Sequence, residues 1–173
     1  MDAFAEEKNA VFVPQKIFMQ RAIELAKKGG GKVHPNPLVG AVIEKDGKII
    51  AEGFHHEYGN LHAERDALKN AMEKKVCVRG ANLYVTLEPC CHTGKQPPCT
   101  QAIIDAGIKN VVIGSRDPNS LVNGKGVLQL ENAGIKVFRD FMKAECDSLN
   151  EIFFYYITTK RPFVIVKYAQ TAD

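Results

Sequence analysis

The 173-residue sequence has no apolar run long enough to cross a bilayer. Its first residues, MDAFAEEKNAVFV, are acidic and interrupted by charge, so the basic start and apolar middle of a signal peptide are missing. These two absences exclude a membrane-spanning helix and make a cytoplasmic location the expectation, where thiols stay reduced. Five cysteines is an odd number, which does not suit a complete disulfide framework. The lysines come in short pairs, Lys27 with Lys28 and Lys74 with Lys75, and the net charge is only +3. A nucleic-acid groove would need a longer basic stripe with aromatics, so no nucleic-acid partner is expected, while an anionic small molecule fits. Internal repeats, low-complexity stretches and a glycine-rich phosphate loop are also missing.

What is present describes an ordinary globular domain, with 45% hydrophobic and 25% charged residues. A lead-in ends at Pro14, and a helix follows with Ile17, Phe18, Ala22, Leu25 and Ala26 on one face. It stops at Gly29-Gly30-Gly31. HPNP (34–37) must be loop, because each proline moves its predecessor out of helical space. LVGAVIEKDGKIIAEGFHH reads as two strands joined at Asp46-Gly47. A helix over 62–73 carries Ala63, Ala67, Leu68, Ala71 and Met72. Then strands NLYVTLE, NVVIGS and IKVF alternate with helices CTQAIIDAG and VLQLENAG, and a long amphipathic helix is predicted over 143–159. Strands alternating with helices after an opening hairpin give a layered α/β domain with a mixed sheet.

The stretch LYVTLEPCCHTGKQPPCTQAII holds three of the five cysteines. Cys90 and Cys99 follow proline-containing turns, and Cys99 opens a helix, where unpaired N–H groups and the dipole favour a thiolate. Cys77 and Cys146 sit in ordinary contexts and read as small apolar residues. Two thiolates do not make a metal site, so a third ligand is needed, and histidine is the usual one. His62 opens a helix with Glu64 two residues on. Inside a helix such residues point about 200° apart. They converge only if His62 lies in the irregular first turn, which Asn60 as cap would allow. An H-x-E triplet is weak alone, and His55-His56-Glu57 is a second one. Joined to E-P-C and P-P-C at the ends of later elements it becomes specific. Three ligands leave a fourth position open, the pattern of a catalytic zinc, with a nearby carboxylate free to carry protons.

These segments resemble a known family. HPNPLVGAVI, GFHHEYGNLHAERDAL, LYVTLEPCCHTGKQPPC and RDPNSLVNGKG look like the deaminase domain of the bifunctional riboflavin-biosynthesis deaminase/reductase, from about Ile17 onward. Most cytidine-deaminase-like enzymes have P-C-x-x-C. The longer spacing of Cys90 and Cys99 here, with His92, Gly94 and Lys95 between, is typical of the riboflavin branch.

The resemblance implies a three-layer α/β/α cytidine-deaminase-like fold and one Zn2+ per chain on His62, Cys90 and Cys99. It implies Glu64 as proton carrier in the hydrolytic deamination of 2,5-diamino-6-(5-phosphoribosylamino)pyrimidin-4(3H)-one to 5-amino-6-(5-phosphoribosylamino)uracil. Asn36, His55, His92, Lys95, Asn119 and Ser120 are the positions it places at the substrate, Lys95 as a phosphate partner. The expected layout is a lead-in over 1–16, the deaminase over 17–160, and over 161–173 the start of a reductase unit normally present in cis. NADPH belongs to that unit and is not expected to bind here. The apolar surface near Phe153, Phe154 and Tyr155 suits a domain interface or a homo-oligomer. The competing readings are another base deaminase of the same fold and a non-catalytic zinc module. The latter would need a fourth protein ligand from Cys91 or His92.

Overall fold

The protein is described by a computed structural model over residues 11–93, 97–119, 122 and 124–171. Helix α1 (Lys16–Lys27) precedes the hairpin of β1 (Gly40–Lys45) and β2 (Lys48–Phe54), and α2 (Ala63–Glu73) follows. Then come β3 (Asn82–Leu87), α3 (Cys99–Asp105), β4 (Asn110–Ser115), α4 (Lys125–Asn132), β5 (Lys136–Phe138), α5 (Lys143–Ser148) and α6 (Glu151–Thr159). At the hairpin, Asp46 and Gly47 both have positive φ, 54° and 75°, as a tight two-residue turn requires.

The sheet order is β2-β1-β3-β4-β5. β1 runs antiparallel to β2 and to β3, whereas β3, β4 and β5 are mutually parallel along the ladder. Alternation along the strands divides the core. Ala41, Ile43, Leu83, Val85, Val111 and Ile113 face Ala63, Ala67, Ile103, Val127 and Leu130 of α2, α3 and α4. Val42, Tyr84 and Val112, one residue out of phase, face Phe18, Met19 and Ala22 of α1 and Cys146 of α5. The result is three layers, α/β/α around a mixed sheet. Leu83, Ile103, Ile113 and Leu130 are each at most 1% exposed. Each such side chain contributes about 1.5–3 kcal/mol by leaving water.

Two close approaches hold the layers. A Cβ on Gly53 would stand 2.2 Å from the Ala67 nitrogen and 2.5 Å from the Ala63 oxygen, so only glycine lets β2 lie against α2. A Cβ on Gly126 would stand 2.3 Å from the Pro89 oxygen, where α4 meets the loop after β3.

The helix predicted over 143–159 is two helices. The break falls at Leu149-Asn150, because the Asn150 amide turns away to bond the Leu38 backbone: its Oδ1 accepts from the Leu38 N–H at 2.7 Å and its Nδ2 donates to the Leu38 carbonyl at 2.8 Å. Ile17 and Met72, placed on apolar faces by their spacing, are 63% and 78% exposed. Each lies at or near a helix end, where the stripe has turned past the sheet. No helix among the described residues is long and apolar enough to cross a membrane.

Candidate active site

The parallel strands β3 and β4 end together, Leu87 paired with Ser115, and the chain beyond them turns toward the N-termini of α2, α3 and α4. Loops at the carboxyl ends of parallel strands are where open α/β sheets place their sites. Glu88 fixes this corner. Its carboxylate is 4% exposed and accepts from the N–H groups of Gly124 at 3.1 Å and Val127 at 3.4 Å, so it caps α4 and ties the Pro89-Cys90 turn to it.

Cys90 and Cys99 meet across the turn. The Cys99 N–H, at the first position of α3, donates to the Cys90 Sγ at 3.4 Å, and the Thr100 N–H donates to the Cys90 carbonyl at 3.1 Å. His62 brings a third donor atom: its Nδ1 lies 3.6 Å from the Cys90 Sγ and 3.4 Å from the Cys99 Sγ. The three donor atoms lie within 4.8 Å of one another. Nitrogen and sulfur on one tetrahedral zinc would be about 3.6 Å apart, given the usual bond lengths. The set therefore fits a metal of thiolate and imidazole preference. Cys90, receiving a hydrogen bond from the Cys99 side chain, is pushed down to about 4, while that same bond and burial hold the Cys99 thiol well above its ordinary value.

His62 is itself the N-cap of α2, with extended φ −70° and ψ 158°, and Ala63 begins the helix. Asn60 is not the cap; its N–H closes a turn on the Glu57 carbonyl at 3.0 Å. This extended residue removes the 200° conflict, since the His62 side chain leaves before helical geometry starts. Glu64, 4% exposed, sits in the first turn. Burial pushes its carboxyl up to about 6, and the neighbouring Cys90 adds to that.

These groups line a cavity of ≈ 840 Å³. Asn36, His55, His62, Glu64, Cys90, His92 and Asn119 all border it. Cys99 is buried behind them, fully enclosed. Lys95 and Ser120 lie outside the described residues. His56, inside the second H-x-E triplet, pairs with Asp66 at 3.0 Å. Sequence reading passed over Asp117 and the wall from α6. Asp117 is 9% exposed, accepts from the Asn119 N–H at 2.8 Å, and is raised to about 6 by burial. An acid directly after a strand end, in RDPN, was the available signal. Ile152, Phe153, Tyr156 and Ile157 form the apolar wall; the sequence marks the surface near Phe153 as apolar, but as an interface and not as part of a cavity.

A family model for the cytidine and deoxycytidylate deaminase zinc-binding region matches residues 14–115, from before α1 through β4. The chain belongs to this deaminase family. The family's metal is zinc, and the His/Cys/Cys donor set suits it. The deaminase chain is 56% identical over 156 residues to riboflavin biosynthesis protein RibD of Actinobacillus pleuropneumoniae, an overlap of 90% of this chain and 41% of that one. It is 49% identical over 147 residues to the diaminohydroxyphosphoribosylamino-pyrimidine deaminase of Buchnera aphidicola, covering 85% of this chain and 98% of that one. Among solved structures, the Thermotoga maritima diaminohydroxyphosphoribosylaminopyrimidine deaminase/5-amino-6-(5-phosphoribosylamino)uracil reductase superimposes with a TM-score of 0.82 at 57% identity. That match covers 86% of this chain and 42% of that one. The deaminase chain thus spans less than half of the two longer relatives and nearly all of the Buchnera protein.

Proposed function

We propose that this chain is the deaminase of riboflavin biosynthesis, hydrolysing 2,5-diamino-6-(5-phosphoribosylamino)pyrimidin-4(3H)-one to 5-amino-6-(5-phosphoribosylamino)uracil and ammonia. The observation that carries it is a buried carboxylate, Glu64, beside a His62/Cys90/Cys99 donor set at the edge of an apolar-walled cavity. The 49% identity to a deaminase of nearly the same length supports the choice of substrate. His62, Cys90 and Cys99 would hold the zinc, which when bound supplies a water that loses its proton near neutral pH. Glu64 holds and moves protons: one taken from the attacking water and delivered to the ring nitrogen beside the carbon that carries the amine, and the second, from the hydroxyl then on that carbon, given to the amine as its C–N bond breaks. Its buried position keeps the carboxyl out of bulk water and within the range where it can do both. Asn36 would bind the pyrimidine, His92, Asn119 and Ser120 would contact the substrate, and Lys95 would be the cation for its phosphate.

On the same footing we assign the deaminase to 17–160 and read 161–173 as leading toward a reductase unit, as in the deaminase/reductase relative. NADPH would belong to that unit. The five free cysteines fit a cytoplasmic setting. The test is ammonia release by the zinc-loaded chain, offered the phosphorylated diaminopyrimidine, cytidine, guanine and deoxycytidine monophosphate. Turnover of the first alone is the expected result. Activity confined to another base would discard the substrate and keep the fold's chemistry.

A further inference from the structure

The His55 ring is 3% exposed and both of its nitrogens are engaged. Nδ1 lies 2.9 Å from the Leu61 carbonyl oxygen, and Nε2 lies 3.1 Å from the Asn36 Nδ2. A carbonyl oxygen only accepts, so Nδ1 must carry a proton. With partners that are an amide and a carbonyl, no carboxylate balances a charge on the ring, and a buried unpaired imidazolium is costly. The group set 3.1 Å from Nε2 is the Asn36 Nδ2, which only donates and so needs a bare ring nitrogen. The ring is then neutral, Nε2 is bare, and it can only accept. That dictates the Asn36 amide: its NH2 must face His55, because a flipped amide would set oxygen against a lone pair.

We infer that His55 is a positioning residue which, held by the Leu61 carbonyl, fixes the orientation of the Asn36 amide in the cavity. One amide hydrogen is used on His55. The carbonyl oxygen and the second hydrogen remain, an acceptor beside a donor. That pair matches a ring edge offering N–H next to C=O, as the N3–H and C4=O edge of the proposed substrate does. A flipped amide would present that pair in reverse, donor against donor and acceptor against acceptor, and mismatch that edge. This reading rests on the proposed function for the substrate alone. It moves His55 from direct substrate contact to action through Asn36.

Two measurements test it. In the zinc-loaded chain with 15N-labelled histidine, the His55 signals are those lost in H55Q. They should show a protonated Nδ1 and a bare Nε2. A proton on Nε2 overturns the inference, and this arm holds even if the diaminopyrimidine proves not to be the substrate. The second is a double-mutant cycle on KM and kcat. H55F should raise KM about tenfold, the effect of losing one oriented hydrogen bond, with kcat within about twofold. H55Q, which puts an amide oxygen near the place of Nε2, should recover most of that loss. In an N36A background H55F should add less than about twofold. A full tenfold cost in that background would show His55 touching the substrate itself and would refute the positioning role. Should H55F fail to fold, the comparison of H55Q in the two backgrounds and the nitrogen signals decide the matter alone.

Discussion

Asn150→Ala removes two hydrogen bonds that join positions 112 residues apart in sequence, the α5–α6 junction and the loop before β1. Asn150 is 5% exposed, and its amide satisfies both the N–H and the carbonyl of Leu38. Each bond contributes about 1 kcal/mol net, and a partner left without one costs about 1–3 kcal/mol when buried. Leu38 is half-buried, so water recovers part of this. The expected loss is about 2–3 kcal/mol, which for a chain of this size lowers Tm by about 4–12 °C. Asn150→Asp is the informative companion. It keeps the acceptor for the Leu38 N–H but sets a carboxylate oxygen against the Leu38 carbonyl, so it should rescue little at neutral pH. Leu38, Asn150 and the α6 wall all border the cavity, so KM should rise with the loss of stability. Urea denaturation of the zinc-loaded protein reads the first effect and steady-state kinetics the second. A change below about 0.5 kcal/mol for Asn150→Ala would show that the clamp is incidental and that packing alone breaks the helix there.

Other outcomes follow from the same geometry. E64Q should keep its zinc and lose about 10²- to 10⁴-fold in turnover, checked by metal analysis beside ammonia release; retained turnover would remove Glu64 from the chemistry. G53A should force α2 off β2, because its Cβ would meet backbone at 2.2 Å. It should cost about 1–3 kcal/mol or more by urea unfolding, and weaken zinc binding because His62 and Glu64 travel with α2. Arg21 bonds Glu52 through Nε at 2.6 Å and NH2 at 3.0 Å, and this holds the Glu52 carboxyl below its ordinary value. A depressed acid stabilises above its unfolded pKa and loses that contribution as pH falls through the folded one. E52Q should therefore cost under about 1 kcal/mol at pH 7, the pair being partly exposed, and the gap from wild type should close as pH falls through the depressed Glu52 pKa, as urea midpoints would report.

Element identity was legible because the signals are local. Asp46-Gly47 demanded a hairpin, Gly29 to Gly31 ended a helix, and the short apolar runs in NLYVTL and NVVIGS marked strands. The metal-donor pattern was legible too, since proline turns and helix starts around Cys90 and Cys99 create thiolate-friendly positions without reference to the rest of the chain. The broken helix was not. The stretch from Lys143 to Thr159 is amphipathic and uninterrupted by proline or glycine, and what divides it is the backbone of Leu38, over a hundred residues earlier. The same holds for the cap of α2, where Asn60 had the right chemistry but His62 took the position.

The sequence by itself determined which elements form, that their order builds a layered α/β domain, and which residue types could bind a soft metal and carry protons. Those depend on periodicity, turn chemistry and side-chain chemistry, all properties of short stretches. Only the tertiary structure decided that His62 Nδ1 falls 3.4 to 3.6 Å from both thiols, that Glu88, on the border of the cavity, caps α4, and that α6 supplies its wall. It also decided that His55 faces Asn36 and the Leu61 carbonyl. Such relations join atoms from separate elements, and their distances are set by how the helices and the sheet pack, which no local stretch of chain specifies.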